Sequence, residues 1–188
     1  FNQGEFLKQT IESILSQEHP DRDYILIDGG SGDNTKSIIE EYAGFLAHWE
    51  SKTDRGQSHA INKGLEKVKG EVLNWINSDD FLEDGAASAI NTAFSDPNVN
   101  IFVGCSNIVE NDLIRRQSKG TDVSLGNLVK TIDQARIDQS EHWLRKSVIV
   151  EIGPLDNALH LTLKRDCCIQ YPPTSLHTVL TNTHTRSS

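Results

Sequence analysis

Cysteine is scarce in this chain. Three residues among 188, two of them adjacent (Cys167, Cys168), cannot frame a small disulfide-bonded scaffold. The simplest reading is a reducing compartment, the cytoplasm. Long apolar runs are missing too: nothing approaches the roughly 18 residues of a membrane-spanning helix, and no signal-peptide pattern opens the sequence. A transmembrane anchor within these residues is therefore not expected, while peripheral contact at the inner face of a membrane stays open. Basic residues are outnumbered, 18 against 27 acidic, for a formal net charge of −9. That balance excludes a general nucleic-acid binder, which needs a basic surface to meet phosphate backbones. An acidic protein that takes a phosphorylated ligand has to recruit a metal or local basic residues instead. Neither a Gly-Lys-Ser/Thr phosphate loop nor a G-x-G-x-x-G fingerprint occurs among the glycines.

What is present suits one soluble domain: 36% hydrophobic and 24% charged residues over a length that can bury a single substantial core. The first half alternates helix and strand patterns. Glu5 to Ser16 is predicted helical, with Phe6, Leu7, Ile11, Ile14 and Leu15 close to one face. A parallel α/β domain normally places a strand before such a helix, so that strand is expected upstream of Phe1. Asp23–Ile27 reads as a strand ending at Asp28. The loop Asp28-Gly29-Gly30-Ser31-Gly32-Asp33-Asn34 follows, then a helix over Thr35–Leu46. Glycines there permit positive φ and close approach of a ligand to the backbone, and Asp28 offers an acceptor to a base or ribose. A plain turn with a helix N-cap uses the same residues.

A short strand, Ala47–Glu50, leads to Asp54-Arg55-Gly56-Gln57 and a helix from Gln57 to about Val68. The N-terminal amides of that helix and Arg55 favour an anion. Asn62 lies among Ser58, Ile61 and Leu65, with ligand contact and a hydrogen bond to a neighbouring loop as equal alternatives. Val72–Ile76 reads as a buried strand and runs into Asn77-Ser78-Asp79-Asp80. Two adjacent carboxylates repel and need a cation or full solvation; one or two carboxylates with several waters suit a hard divalent ion carrying phosphates. The alternative is a solvated loop that caps the next helix, Gly85–Phe94. Acidic residues thus follow three successive strands (Asp28, Asp54, Asp79/Asp80), and their convergence on one sheet edge would make a site.

Beyond Asn98 the pattern turns antiparallel. Asn100–Cys105 and Leu113–Arg116 read as strands, Leu125–Thr131 and Lys146–Ile152 as helices, the latter closed by Gly153-Pro154. From Cys167 onward no periodicity is visible, and residues 167–188 read as an irregular or disordered tail.

Taken in order, Asn2-Gln3-Gly4-Glu5-Phe6-Leu7, Ile27-Asp28-Gly29-Gly30-Ser31, Asp54-Arg55-Gly56-Gln57, Ala60-Ile61-Asn62-Lys63-Gly64 and Asn77-Ser78-Asp79-Asp80 resemble the motifs of the family 2 glycosyltransferases. Trp143–Val148 with Glu151–Asp156 looks like the acceptor-side segment of that family. The resemblance covers roughly residues 1–166 and specifies a family rather than a sugar. It implies an α/β, GT-A-like fold, a Rossmann-type mostly parallel sheet with an antiparallel C-terminal part. It also implies an inverting hexosyltransferase-type enzyme that moves sugar from a nucleotide sugar, usually UDP-linked, to a saccharide or lipid-linked acceptor in polysaccharide biosynthesis. The alternative is a non-catalytic nucleotide-sugar-binding fragment of such an enzyme.

Carried over by position, Asp28 would meet the nucleotide base beside Gly30, and Asp54, Arg55 and Asn62 would line the nucleotide and diphosphate. The family's D-x-D motif falls on Asn77-Ser78-Asp79. Asp79, with Asp80, would hold Mn²⁺ or Mg²⁺, and the uncharged Asn77 would turn to the ribose. The expected base position holds Lys164, which is protonated at neutral pH, leaving Asp166 as the candidate catalytic base.

Overall fold

The structure, a computed structural model, describes residues 1–19, 21–110, 113–117, 141–156 and 182–186. Helix α1 (Gly4–Leu15) leads to β1 (Ile25–Asp28), α2 (Thr35–Tyr42) and a 3₁₀ turn (Ala43–Phe45). Then come β2 (His48–Ser51), α3 (Gln57–Leu65), β3 (Val72–Leu73), β4 (Asp80–Leu82) and α4 (Ala86–Phe94). The second half holds β5 (Ile101–Val103), β6 (Cys105–Glu110), β7 (Leu113–Gln117), β8 (His142–Arg145), α5 (Lys146–Ile152) and β9 (Asn182–Arg186).

Among the described residues these strands form three sheets. β1 and β2 pair in parallel, β3–β8–β5 is antiparallel throughout, and the third runs β4–β9–β6–β7 with β6 and β9 parallel. The α/β class agrees with the sequence pattern, and among the described residues the parallel pairs are β1/β2 and β6/β9. The first core lies between α1 and α2 over β1, where Leu7, Ile11, Leu26 and Ile39 are buried together. That is the face of α1 marked by periodicity. A second core joins Leu82, Ala86, Ile90, Phe94, Val99 and Phe102, with Phe94 and Phe102 edge to face at 6.4 Å.

Several boundaries differ from the sequence reading, each for a local reason. The helix expected to Leu46 ends at Tyr42 and tightens into the 3₁₀ turn that contains Gly44. The helix expected to Val68 ends at Leu65; there i→i−3 bonds, Lys67 N to Gly64 O and Val68 N to Leu65 O, take over. Beyond the helix end the Val68 carbonyl is covered from outside, since Lys146 Nζ donates to it at 2.7 Å. The strand expected over Val72–Ile76 is two residues long, because its ladder with β8 stops at Leu73↔Leu144. Asp80–Leu82, read as loop, is a strand. So are residues 182–186, in a tail read as irregular: β9 is inserted between β4 and β6. The helix read over 125–131 lies outside the described residues.

Arg145 ties the antiparallel part to the end of α4. Its guanidinium donates to the carbonyls of Val99 (2.8 Å), Phe94 (2.8 Å) and Asp96 (3.0 Å) and stacks over the Phe94 ring. An exhausted helix terminus and the turn after it are satisfied by one planar fork, which a lysine could not span.

On the opposite side, β2 and α3 are joined by Glu50, whose carboxylate accepts from Lys63 Nζ at 2.7 Å and Lys52 Nζ at 3.1 Å. Those two bonds hold the Glu50 carboxyl down, from 4.5 to about 2, against a smaller opposing effect of burial. A depressed carboxyl contributes stability that is complete above its ordinary pKa and disappears as the pH falls through the folded value. Lys63→Ala is therefore expected to lower the urea midpoint at pH 7. Its deficit relative to the unaltered chain should shrink between pH 4.5 and about 2. A deficit that does not change over that window would show that the pair is not the source.

Candidate functional site: the edge formed by Asp28, Asp54 and the Asn77–Asp80 turn

The glycine loop after β1 is folded around its own aspartate. Asp28 is buried, 5% exposed. Its Oδ2 accepts from Ser31 N (3.0 Å) and from Ser51 Oγ (2.7 Å) on the neighbouring strand, and its Oδ1 accepts from Ser31 Oγ. Burial pushes the carboxyl up, but the bonds from the Ser31 and Ser51 hydroxyls and the loop amides outweigh it and hold the group below its usual range. Asp28 is thus an anion at neutral pH. Asn2, at φ 54, closes the loop from the other side: its backbone N donates to Ser31 Oγ and its Oδ1 accepts from Gly32 N, both at 2.9 Å.

The two glycines after Asp28 permit the next contact. A Cβ on Gly29 would lie 2.9 Å from Asp54 Oδ2, and one on Gly30, at φ +85, would lie 2.9 Å from Thr53 N. At Gly30 the backbone of the segment following β2 leaves no room for a side chain, and at Gly29 a side chain would have to push the Asp54 carboxylate aside. Asp54 Oδ1 in turn accepts from Gly56 N at 2.8 Å and shapes the turn into α3. Arg55 is exposed, with its backbone N donating to His59 Nδ1.

From the first turn of α3 the contacts pass to the third acidic segment. Gln57 Nε2 donates to Asn77 Oδ1 (3.1 Å), and Asn77 Nδ2 donates to Asp80 Oδ2 (3.2 Å). Asn77 uses both ends of its amide, which a carboxylate there could not do. Asp79 and Asp80, read as a pair, part company. Asp80 is 4% exposed and engaged by Asn77. Asp79 is half-buried, and its carboxylate accepts no hydrogen bond among the described residues.

The sequence reading missed what holds this turn in place. Thr10 on α1, 3% exposed, has its hydroxyl 2.8 Å from Ser78 O and 2.7 Å from Asp80 O. One turn on, Ser13 Oγ accepts from Leu82 N at 3.1 Å. Gln17, just past the helix, donates to Glu83 O (3.0 Å) and accepts from Ala87 N (3.1 Å), capping α4 from outside. The signal was legible: polar residues at i, i+3 and i+7 lie on one helical face, beside the apolar face that drew attention.

Asn62 Nδ2 donates to Leu155 O (2.8 Å) and its Oδ1 accepts from Leu155 N (2.9 Å), the hydrogen bond to a neighbouring loop that the sequence offers as one of two alternatives. Asp166 and Lys164 lie outside the described residues, so nothing here locates the candidate base. Among the described residues, no group of three or more His, Cys, Asp or Glu could hold a metal ion, and no helix is long and apolar enough to cross a membrane. Cys105 is buried.

The sequence model of the family described as glycosyl transferase family 2 matches residues 1–151. The chain belongs to that family. It is 31% identical over 88 residues to a poly-β-1,6-N-acetyl-D-glucosamine synthase of Staphylococcus epidermidis, an alignment covering 46% of this chain and 21% of that protein. It is 33% identical over 109 residues to the poly(ribitol-phosphate) β-N-acetylglucosaminyltransferase TarP of Staphylococcus aureus, covering 55% and 33%. The chain therefore matches only about a fifth to a third of the length of these curated relatives. Among solved structures, S. aureus TarS 1–349 with UDP-GlcNAc superposes with a TM-score of 0.77 at 15% identity, over 100% of this chain and 56% of that one. The mannosyltransferase PcManGT of Pyrobaculum calidifontis, in complex with GDP-Man and Mn²⁺, gives 0.65 at 14% identity, over 98% and 54%. At these identities the likeness is one of fold, the GT-A arrangement expected from the motifs.

Thr10→Val keeps the shape of the side chain and removes the single hydroxyl proton shared between the carbonyls of Ser78 and Asp80. A loss of about 1–3 kcal/mol is expected, the usual cost of orphaned buried polar groups. Equal denaturant midpoints for the two proteins would mean that the Thr10 hydroxyl does not hold the turn.

Proposed function

We propose that this chain contributes the donor-binding part of an inverting glycosyltransferase. The enzyme moves a hexosyl unit from a UDP-linked sugar to a saccharide or lipid-linked acceptor in polysaccharide biosynthesis, at the cytoplasmic side of a membrane. The reading rests chiefly on the unbroken run of contacts from Asp28 through Gly29, Asp54 and Gln57 to Asn77, which brings the glycine loop and the acidic turn to one edge. Family membership and the UDP-GlcNAc and GDP-Man complexes of the structural neighbours support a nucleotide sugar as donor.

In this reading the ionised Asp28, at the base of its loop, recognises the base of the nucleotide, with Gly30 admitting the ligand close to the backbone. Asp54 holds the turn that presents Arg55 and the first amides of α3 to the diphosphate. Asn77 bridges Gln57 and Asp80 and meets the ribose from the same amide plane.

The donor set at Asp79 fits a divalent ion: one open, half-exposed carboxylate suits Mg²⁺ or Mn²⁺ holding a diphosphate and keeping its waters. Asp80 supports the turn behind it. When bound, the ion would offset the negative charge that grows on the diphosphate as the glycosidic bond breaks. Asp166 is the proposed base for the acceptor hydroxyl. The second reading, binding without turnover, is favoured by Lys164 at the position where a base is expected.

Asp79→Ala is expected to abolish the metal-dependent part of UDP binding, a loss of at least tenfold in calorimetry with Mn²⁺. Asp28→Ala should weaken UDP with and without metal. Undiminished metal-dependent binding by Asp79→Ala would remove the assignment. Sugar transfer from a panel of radiolabelled UDP-sugars separates the enzyme from the binding fragment, with Asp166→Asn silencing only the enzyme.

A further inference from the structure

Asn62 pairs with the backbone of a residue 93 positions away. A primary amide is the neutral side chain that carries a donor and an acceptor side by side in one plane, so it can close a ring on the N–H and C=O of a single residue as a neighbouring strand would. Asn62 does this to Leu155, at 2.8 and 2.9 Å. Among the described residues the clamped turn has no strand partner. α5 ends at Gly153, at φ +85, whose N–H closes on Ile149 O, and the chain then turns through Pro154 to Leu155. The Leu155 side chain is buried, 8% exposed, against Ile61, Trp75 and Ile152. Ile61 is the residue before Asn62, so α3 holds this turn by an apolar contact and a polar one from adjacent positions.

The same helix begins at the nucleotide edge. Gly56 and Gln57 contact Asp54 and Asn77. Asn62 follows Gln57 by five residues, roughly 7.5 Å along the axis. One rigid helix therefore touches the donor edge with its first turn and the Glu151–Asp156 segment with its second.

We propose that Asn62 is a positioning residue: it fixes the acceptor-side turn at Leu155 relative to the donor edge through α3, and does not itself contact the nucleotide. The proposal rests on the glycosyltransferase reading for its kinetic consequence, but the bond to Leu155 and the independence from UDP can be read without any activity. Substituting Asn62 should loosen the turn and the chain that leaves it while the donor edge stays formed.

The test uses the full 188-residue chain with Asn62→Ala and Asn62→Asp. The aspartate keeps the acceptor for Leu155 N–H but sets an oxygen against Leu155 O, so it guards against an alanine variant that fails to fold. Three readouts are taken: UDP affinity with Mn²⁺ by calorimetry, amide hydrogen exchange at Leu155, and the ratio of sugar transfer to donor hydrolysis. Expected are a UDP affinity within about threefold of the unaltered chain, Leu155 exchange at least tenfold faster with Phe102 unchanged, and a transfer-to-hydrolysis ratio reduced about tenfold. A tenfold or larger loss of UDP affinity with Leu155 exchange unaltered would make Asn62 a nucleotide ligand and overturn the proposal. An unchanged transfer-to-hydrolysis ratio alongside faster exchange would reduce Asn62 to a stabilising contact and overturn it equally. If neither the unaltered chain nor the variants turn over a UDP-sugar, the enzymatic reading fails. The exchange and affinity arms still decide whether Asn62 clamps Leu155 or binds nucleotide.

Discussion

The hydroxyl of Thr10 against the carbonyls of Ser78 and Asp80 is the contact on which the candidate site depends. The stretch from Ser78 to Ala87 is short of partners within itself: it holds a turn, a three-residue strand and the bare start of a helix. Buried backbone groups must be matched or the segment will not stay folded. On its α1 side the matching is done by side chains. Thr10, Ser13 and Gln17 supply a hydroxyl proton, a hydroxyl oxygen and a two-faced amide in the order in which Ser78, Asp80, Leu82, Glu83 and Ala87 need them. α1 therefore does two jobs with adjacent faces. Leu7 and Ile11 join the core over β1, while the polar stripe fixes where the acidic turn sits. Because the first half of the chain is anchored to that core, the turn inherits its rigidity.

Steric absence matters as much as bonding. Gly30, at φ +85, sits where a Cβ would strike the backbone at Thr53, so glycine is needed there, while a side chain at Gly29 would have to displace the Asp54 carboxylate. From Gln57 the contact continues through the Asn77 amide to Asp80. Three segments separated by more than 20 residues each thus meet through few polar groups, all with assigned donors and acceptors. Such arrangements are stiff when complete and costly when one member is lost.

Much of this was legible in the residues and some was not. The apolar stripe of α1, the strand ending at Asp28, the helix starting at Gln57 and the Gly153 stop of α5 all follow from periodicity and local chemistry, which act over a few residues. Asp80–Leu82 and Asn182–Arg186 escaped because neither shows a pattern of its own. Both are strands only because β9 lies between β4 and β6, a pairing across about a hundred residues that no local signal encodes. Val72–Ile76 failed in the opposite sense. Its β propensity is strong, but ladder pairing, not propensity, sets strand length, and the ladder ends at Leu73. Asn62 was left undecided for the same reason, since its partner is 93 residues distant. The order of the acidic segments along the chain suggests strand ends, whereas Asp54 and Asp79 lie on loops after β2 and before β4.

The environments of the acidic residues separate their roles under the proposed reading. Asp28 is buried, bound by two serines and held ionised, so its charge and orientation are fixed before any ligand arrives. Recognition of a flat base benefits from such preorganisation, because no side-chain freedom remains to be lost on binding. Asp80 is likewise committed, to Asn77 and to the turn. Asp79 alone is half-exposed with no bonded partner among the described residues. A metal ligand has to be open in this way, since a carboxylate whose lone pairs are already occupied gains little from an ion. The neutral Asn77 then makes sense beside it. A second carboxylate at that position would add charge for the ion but would meet Asp80 acceptor to acceptor, breaking the bridge that ties the turn to α3. Under the proposed reading the bridge leaves a single open carboxylate, Asp79, that would hold the metal, while Arg55 and the first amides of α3 would carry the remaining charge of a diphosphate.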